Sequence, residues 1–178
     1  MKKNDTQNKP KKRKNSRAKG AGFERVAAKL LTEWWGAEFH RTPASGGLHW
    51  KRDNRVAGDI VAPAEATDYP FSNECKKVEG WNFEQIIKGT GLVTDWWSQC
   101  CRDASETDKI PLLLFSKNRS PIYYMVHQEH HIKIVDLPNR NYFITTFELE
   151  DKEHCVAIGM FDDLLSIPKA SIVKNLNS

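Results

Sequence analysis

Two short motifs decide how this chain folds: Gly58-Asp59-Ile60 and Glu74-Cys75-Lys76. Asp59 lies within an apolar run that is typical of a largely buried β-strand. Glu74 and Lys76 are two residues apart, so on a strand their side chains share one face and the intervening residue points to the other. A buried carboxylate is costly unless a group of opposite charge pairs with it. The motifs therefore predict two strands whose acidic side chains share a cation.

A divalent cation held between Asp59 and Glu74 would supply that charge. Hard cations such as Mg²⁺ bind oxygen ligands, usually one or two carboxylates together with waters and the phosphate oxygens of a substrate. We expect Mg²⁺ here, with Mn²⁺ as a substitute, and we expect Lys76 to orient or deprotonate a water and to offset phosphate charge. A Glu-x-Lys motif alone is common on solvated strand faces, so this interpretation depends on the preceding sequence.

Four motifs follow one another along the chain: Lys19-Gly20-Ala21-Gly22-Phe23-Glu24-Arg25, Arg41-Thr42-Pro43-Ala44-Ser45-Gly46, Asp59 and Glu74-Cys75-Lys76. In order and rough spacing this arrangement resembles the archaeal-type Holliday junction resolvases and their phage relatives, within the PD-(D/E)xK nuclease superfamily. The resemblance covers about residues 17–120, and no resemblance is identified beyond that point. One departure is that Gly58, not the proline of the superfamily's name, precedes Asp59.

Resemblance to these resolvases implies a Mg²⁺-dependent endodeoxyribonuclease that cuts branched DNA and leaves 5′-phosphate ends. Four-way junctions have two-fold symmetry, so a homodimer with two active sites is the expected assembly. The catalytic residues that the resemblance implies are Glu24, Ser45, Asp59, Glu74, Lys76 and Gln99. The metal ligands that it implies are Asp59, Glu74, Glu24 and the backbone carbonyl of Cys75.

The glutamine of this set is open to an alternative, because Gln85 on the preceding predicted helix could reach the site instead of Gln99. Contacts with DNA are expected in the matching motifs and at one later turn. They are Lys19, Arg25, Arg41, Ser45, Gly46, Lys117 and Arg119. A glycine-flanked serine suits a loop whose backbone approaches phosphate. The turn between two strands that holds Lys117 and Arg119 fits solvated charges as well as it fits phosphate contacts.

Other functions fit parts of the sequence. A PD-(D/E)xK nuclease with a role in repair or in restriction-like cleavage of duplex DNA would carry the same motifs. A DNA-binding protein with an inactive site is a second alternative, and the intact Asp59, Glu74 and Lys76 argue against it. An RNA-binding protein is disfavoured because RNP-type aromatic motifs are missing. A nucleotide cofactor is not expected, because no Gly-x-x-x-x-Gly-Lys-Ser/Thr loop occurs.

Positive charge is concentrated at the amino terminus. The chain has 178 residues and a formal net charge of +4, but residues 1–20 alone hold nine Lys or Arg and one acidic residue, Asp5. The other residues are mildly acidic, with 18 basic against 22 acidic side chains. A Lys- and Asn-rich segment with few apolar residues cannot offset the entropy of ordering itself. We expect residues 1–16 to be a disordered tail attracted to polyanions, unless they serve solubility alone.

Cysteine and histidine spacing gives no zinc or disulfide signature, and we expect reduced thiols. His127-x-x-His130-His131 lacks the glutamate of a His-Glu-x-x-His motif and lies at a predicted strand boundary. No stretch approaches 18 consecutive apolar residues, and no apolar run follows the basic amino terminus. Neither a membrane span nor a secretory signal is therefore expected. The expected location is the cytoplasm, that of the host if the protein is phage-encoded.

Periodicity predicts an α/β core over residues 17–127, which the resemblance implies to be the PD-(D/E)xK nuclease core. An amphipathic helix near Ala18–Trp35 precedes three strands, then helices, then two more strands. Residues 128–178 are interpreted as a strand-rich extension packed on the core, with strands at His131–Asp136, Tyr142–Leu149 and Cys155–Phe161. With the resemblance added, the expected fold is restriction-endonuclease-like: a central mixed β-sheet flanked by helices.

Overall fold

A seven-stranded sheet organises the computed structural model, which describes residues 16–42, 58–135 and 141–178. The strands are β1 His40–Arg41, β2 Ile60–Val61, β3 Phe71–Lys77, β4 Ile110–Ser116, β5 Tyr123–His127, β6 Tyr142–Leu149 and β7 Lys152–Met160. The helices are α1 Ser16–Trp35, α2 Phe83–Ile87, α3 Leu92–Ser105, α4 Gln128–Ile134, α5 Phe161–Leu165 and α6 Lys169–Leu176. The strand order is β1-β2-β3-β4-β5-β7-β6. The predicted α/β fold with a helix-flanked mixed sheet is confirmed.

The centre of the sheet is the parallel pair of β3 and β4, and its other described strands pair antiparallel. Parallel strands need a crossover connection, which α2 and α3 supply here. Both strands are buried along most of their length, because helices cover both faces of the sheet. The Glu-x-Lys motif therefore lies in the middle of the fold and not on a solvated edge.

The side chains of β4 point alternately to the two faces of the sheet, so they pack in two separate cores. Leu112 and Leu114 pack beneath α1, whereas Leu113 and Phe115 pack beneath α3. Each fully buried leucine of this kind contributes about 2 kcal/mol relative to an exposed one. The Glu-x-Lys motif of β3 is aligned with the second pair, so it faces α3, and Cys75 lies in the core beneath α1. This is the register predicted from the spacing of the motif.

The last two strands continue the same sheet. β7 pairs with β5 from His127 to Tyr123, and β6 and β7 form a hairpin along their whole length. Glu150 and Asp151, which connect them, have φ values of 52° and 59°. Positive φ at both central residues is the mark of a type I′ turn, whose twist matches that of the flanking strands. The carboxyl-terminal part thus extends the sheet of the core edge to edge, but it is not strand-rich as predicted, because it also holds α4, α5 and α6.

The predicted strand at His131–Asp136 is wrong, because its described residues begin in α4. Apolar residues alternate at Ile132 and Ile134, which favours a strand. In the structure the buried positions are His131 and Ile134, three residues apart as on a helix, while Ile132 is 56% exposed. The hydroxyl of Tyr124 lies 2.8 Å from Nε2 of His131 and ties this helix to the sheet. Burial lowers the pKa of His131 to about 4.

Several predicted features lie outside the described residues. They include most of the basic tail, the loop that holds Ser45 and Gly46, and the first part of the strand that contains Asp59. Ser16, at the end of the predicted tail, is instead the first residue of α1. Within the described ranges, no helix is long and apolar enough to cross a membrane.

Candidate active site

Asp59 reaches the centre of the sheet because Gly58 lets the backbone approach β3 closely. Gly58 has a φ of 77°, and a Cβ built there would lie 2.2 Å from the carbonyl oxygen of Asn73. The backbone N–H of Asp59 donates to that same oxygen at 2.8 Å. Proline, whose φ is fixed near −65°, cannot adopt this conformation. The departure of this sequence from the superfamily's proline therefore has a structural cause.

The side chain of Asp59 is held against β3. Its Oδ2 accepts a hydrogen bond from the backbone N–H of Cys75 at 2.9 Å. On the other side, the backbone N–H of Thr42 donates to the carbonyl oxygen of Asp59 at 2.9 Å, and the hydroxyl of Thr42 donates to that of Gly58 at 2.9 Å. These bonds fix Asp59 beside Glu74, which is the neighbour of Cys75 on β3. The structure thus brings the two predicted carboxylates together.

Glu74 is only 2% exposed, and it forms an ion pair with Lys76 on the same face of β3. Burial raises the pKa of Glu74 to about 7, with the nearby charge of Asp59 adding to the effect and Lys76 opposing it. Burial also raises the pKa of Asp59. The pKa of Lys76 is raised, because the hydrogen bond and charge of Glu74 outweigh the effect of burial. Two carboxylates therefore share one ammonium group.

This arrangement fits a divalent cation. One lysine neutralises one of the two carboxylates, and the second remains an uncompensated buried acid when it is ionised. Oxygen donors on adjacent strands are the ligands that Mg²⁺ prefers. Asp59 and Glu74 are the residues that could hold it, and the expected role of the Cys75 carbonyl stays a prediction.

Helix α3 supplies the next layer of the site. Nζ of Lys76 donates to Oε1 of Gln99 at 3.2 Å. Gln99 in turn forms a side-chain hydrogen bond with Asp103, one helical turn further on. The charge of Asp103 raises the pKa of Asp59 and of Glu74. Sequence reasoning missed Asp103, because its i+4 spacing from Gln99 does not by itself distinguish it from a solvated charge on a helix.

Gln85, the alternative to Gln99, is engaged elsewhere. Its Oε1 accepts from the backbone N–H of Asn82 at 3.2 Å, and its own backbone N–H donates to Oδ1 of Asn82 at 2.9 Å. These two bonds form a capping box at the start of α2. The structure therefore places Gln99, and not Gln85, at Lys76.

Glu24 and Arg41 lie at the rim of the site. Glu24, on α1, forms an ion pair with Nε of Arg41, and both side chains are partly buried. The charge of Glu24 contributes to the raised pKa of Asp59, which places Glu24 close to the carboxylate pair. Arg41, an expected DNA contact, is here a partner of Glu24.

The other expected DNA contacts differ in their surroundings. Lys19 forms an ion pair of 2.6 Å with Glu79, and Lys117 lies 4.7 Å from the centre of the Trp81 ring. Arg25 and Arg119 are exposed. Ser45 and Gly46 lie outside the described residues. To bind phosphate, Lys19 must therefore leave or share its contact with Glu79, and Lys117 must leave or share its contact with Trp81.

Comparison with known proteins agrees with this geometry. A family model described as "Phage putative PDDEXK endonuclease" matches residues 15–174, so the resemblance extends well past residue 120, where the motifs ended. Protein D14 of Escherichia phage T5 is 27% identical over 157 residues, which span 85% of this chain and 92% of that protein. No solved structure matches the chain. The resemblance to PD-(D/E)xK nucleases is confirmed at the level of the superfamily, and the chain belongs to the phage PDDEXK endonuclease family.

Proposed function

We propose that this protein is a Mg²⁺-dependent endodeoxyribonuclease that hydrolyses phosphodiester bonds in branched DNA, with Holliday junctions as its substrate. The observation that carries the proposal is the buried pair Asp59 and Glu74 beside Lys76. A purely structural ion pair between Glu74 and Lys76 would need no second carboxylate. A cation that binds together with the DNA phosphate explains the excess negative charge.

In this proposal the side chains of Asp59 and Glu74 bind the ion, and the backbone carbonyl of Cys75 is a further ligand. Glu24 binds the ion as well or lies near it. Mn²⁺ can take the place of Mg²⁺. The ion, when bound, lowers the pKa of a water and stabilises charge on the phosphate. Lys76 orients the attacking water, and its bond to Gln99 keeps the ammonium group near Glu74. Hydrolysis leaves a 5′-phosphate.

Preference for junctions rests on the order of the four motifs, which resembles that of the resolvases. A homodimer with two sites related by a two-fold axis suits a substrate of the same symmetry. The phage family of the chain favours DNA in the cytoplasm of a bacterial host as the place of action. Cleavage of duplex DNA in repair or restriction would use the same residues, so the substrate has to be tested directly.

The test compares a four-way junction with a duplex of the same sequence, in Mg²⁺ at fixed salt. We expect tighter binding and paired cleavage on the junction, because the second protomer's contact is effectively intramolecular. Ca²⁺ should support binding without cleavage, since it is larger and less demanding in geometry. Equal affinity and equal rates on both DNAs would reject the junction proposal and leave a metal-dependent nuclease.

Variants of the carboxylates test the metal assignment on the same substrates. Asp59→Asn and Glu74→Gln should abolish cleavage and leave DNA binding largely intact, because binding depends mainly on phosphate contacts elsewhere. Glu84→Gln is the matched control, since this glutamate of α2 is exposed and pairs with Lys88 one turn away. Substantial cleavage by either site variant in Mg²⁺ would contradict the assignment.

A further inference from the structure

A second group of metal-binding side chains lies apart from the carboxylates. Cys101 in α3, His127 at the end of β5 and His154 in β7 each offer one ligand atom, and these atoms lie within 4.8 Å of one another. All three side chains are partly buried. None of them has a role in the proposed nuclease reaction.

The fold explains why these residues meet. His127 pairs with Val156 across β5 and β7, and His154 is two residues before Val156, so both histidines lie on the same face of the sheet. α3 covers that face, where its Trp97 is fully buried. Cys101 follows Trp97 by one helical turn and therefore points toward the same surface. Sequence spacing could not reveal the group, because its members come from three separate elements.

The geometry of the group is close to that of a metal site. Sγ of Cys101 lies 3.9 Å from Nε2 of His127. Zn–S and Zn–N bonds in a tetrahedral site place a sulfur and a nitrogen about 3.5 Å apart. His127 also donates to the backbone carbonyl of Cys155, the kind of second bond that orients histidine ligands. Nδ1 of His154 accepts from Nε1 of Trp97 at 3.1 Å, so His154 must give up this hydrogen bond in order to bind a metal.

Aromatic rings enclose the two histidines. The ring of Trp97 packs edge-on against His127, with 5.0 Å between centroids, and that of Phe147 stacks on His154 at 6.1 Å. The neutral form of histidine is the one that binds metals. An apolar shell of this kind limits solvent access to an ion.

We propose that Cys101, His127 and His154 bind one Zn²⁺ ion that links α3 to β5 and β7. A thiolate and two imidazoles suit zinc and do not suit Mg²⁺, which takes oxygen ligands. Three protein ligands leave the fourth tetrahedral position to water. The role of the ion is to stabilise the packing of α3 on the sheet, and it does not depend on the proposed nuclease function.

The test uses the full chain under reducing conditions, stripped of metal with a chelator and returned to a buffer with Mg²⁺. Zinc chloride is then titrated while heat release and thermal unfolding are measured. We expect one zinc per chain and a higher melting temperature, since binding to the folded state alone stabilises it. Cobalt in place of zinc should give the absorption band of a thiolate–cobalt bond.

Ligand variants and a matched control separate a metal site from ordinary packing. Cys101→Ser and His154→Gln should weaken zinc binding by about 100-fold or more. His40→Gln should bind like the wild type, because His40 lies exposed on β1, away from the three ligands.

Two results would overturn the proposal. One is wild-type protein that binds no stoichiometric zinc and shows no thiolate–cobalt band, a measurement that does not require any variant to fold. The other is a folded Cys101→Ser protein with unchanged zinc affinity. Loss of stability in the variants without any zinc dependence in the wild type would assign the three residues to packing alone.

Discussion

At the scale of single residues, the two adjacent lysines at the end of β3 are expected to have different roles, one in catalysis and the other in packing. Lys76 faces α3 and pairs with Glu74, whereas Lys77 lies on the opposite face, 5.7 Å from the centre of the Phe23 ring. A positioned group that orients or deprotonates a water contributes about 10²–10⁴-fold in rate. We expect Lys76→Met to lose that much cleavage activity and Lys77→Met to stay active.

Single-turnover cleavage at saturating DNA measures this difference, and thermal unfolding shows that both variants are folded. The two substitutions are chemically identical and adjacent, so each controls for the other. A damaging Lys77→Met together with a harmless Lys76→Met would show that the reactive face of β3 is the other one.

Glu74 should make stability depend on pH. Burial, followed by the charge of Asp59, raises the pKa of Glu74 from 4.5 to about 7. Between these values the folded protein keeps a proton that the unfolded chain has lost. The free energy of unfolding of the Mg²⁺-free protein therefore falls as pH rises from about 4.5 to about 7 and then levels off. A shift of this size corresponds to at most about 3 kcal/mol.

Thermal unfolding of the Mg²⁺-free protein at several pH values between 5 and 8, on the order of one unit apart, checks this. Glu74→Gln should flatten the profile, because the amide does not titrate. Added Mg²⁺ should raise the melting temperature of the wild type more at the alkaline end, where it no longer competes with the proton. Identical profiles for wild type and Glu74→Gln would show that another group dominates.

Much of the candidate active site could be predicted at the scale of single residues, because the spacing of residues within a motif determines which side chains share one face of a strand. Asp59, Glu74 and Lys76 lie together as the motifs indicate, and Gln99 meets Lys76 as expected for the following helix. Asp103 could not be chosen in the same way. An aspartate near the end of an amphipathic helix is ordinarily a solvated charge, and only the packing of α3 on β3 turns it toward the lysine.

At the scale of elements, α3 supports the candidate active site, because its side chains hold Lys76 in position. Gln99 links Lys76 to Asp103, whose charge helps to raise the pKa of Lys76. Asp103→Asn should lower the cleavage rate by about 10-fold, because the ammonium group loses part of its support. It should also shift the part of the pH–rate profile that reports Lys76 to lower pH, which a purely structural loss would not do.

Asp95→Asn is the control for this prediction, since Asp95 is an exposed aspartate in the first turn of the same helix. Rates measured over a range of pH with both variants distinguish the two positions. An unchanged profile in Asp103→Asn would mean that Gln99 acts without it.

The sequence predicted helices and strands best where the apolar residues follow a single clear pattern. α1 agrees closely with its predicted bounds, and β3 is the strand predicted for the Glu-x-Lys motif, because α1 has a clear apolar stripe and β3 a continuous buried run. The prediction failed at α4 because the buried side of this helix includes a histidine, which apolar patterns ignore. The pairing of β7 with β5 could not be predicted either, since it depends on contacts between distant parts of the chain.

At the scale of the whole molecule, charge is divided between a basic tail and a mildly acidic body. Residues 1–15 hold seven Lys or Arg and one acidic residue, Asp5. α1 begins at Ser16, so a deletion of residues 1–15 spares every described element. The proposed active site lies in the body, so we expect DNA binding by the tail and catalysis by the body to be separable.

Deleting residues 1–15 should weaken DNA binding and flatten its salt dependence. The slope of log affinity against log salt should change by roughly 0.9 for each phosphate of duplex DNA that the tail neutralises in the full chain. Cleavage at saturating DNA should survive, because Asp59, Glu74 and Lys76 remain in place. A full-length variant with the seven basic residues changed to glutamine is the matched control for chain length. If it behaves like the deletion, the charge of the tail accounts for the effect. An unchanged slope in both variants would mean that the tail binds no phosphate and that the body alone supplies the electrostatic attraction to DNA.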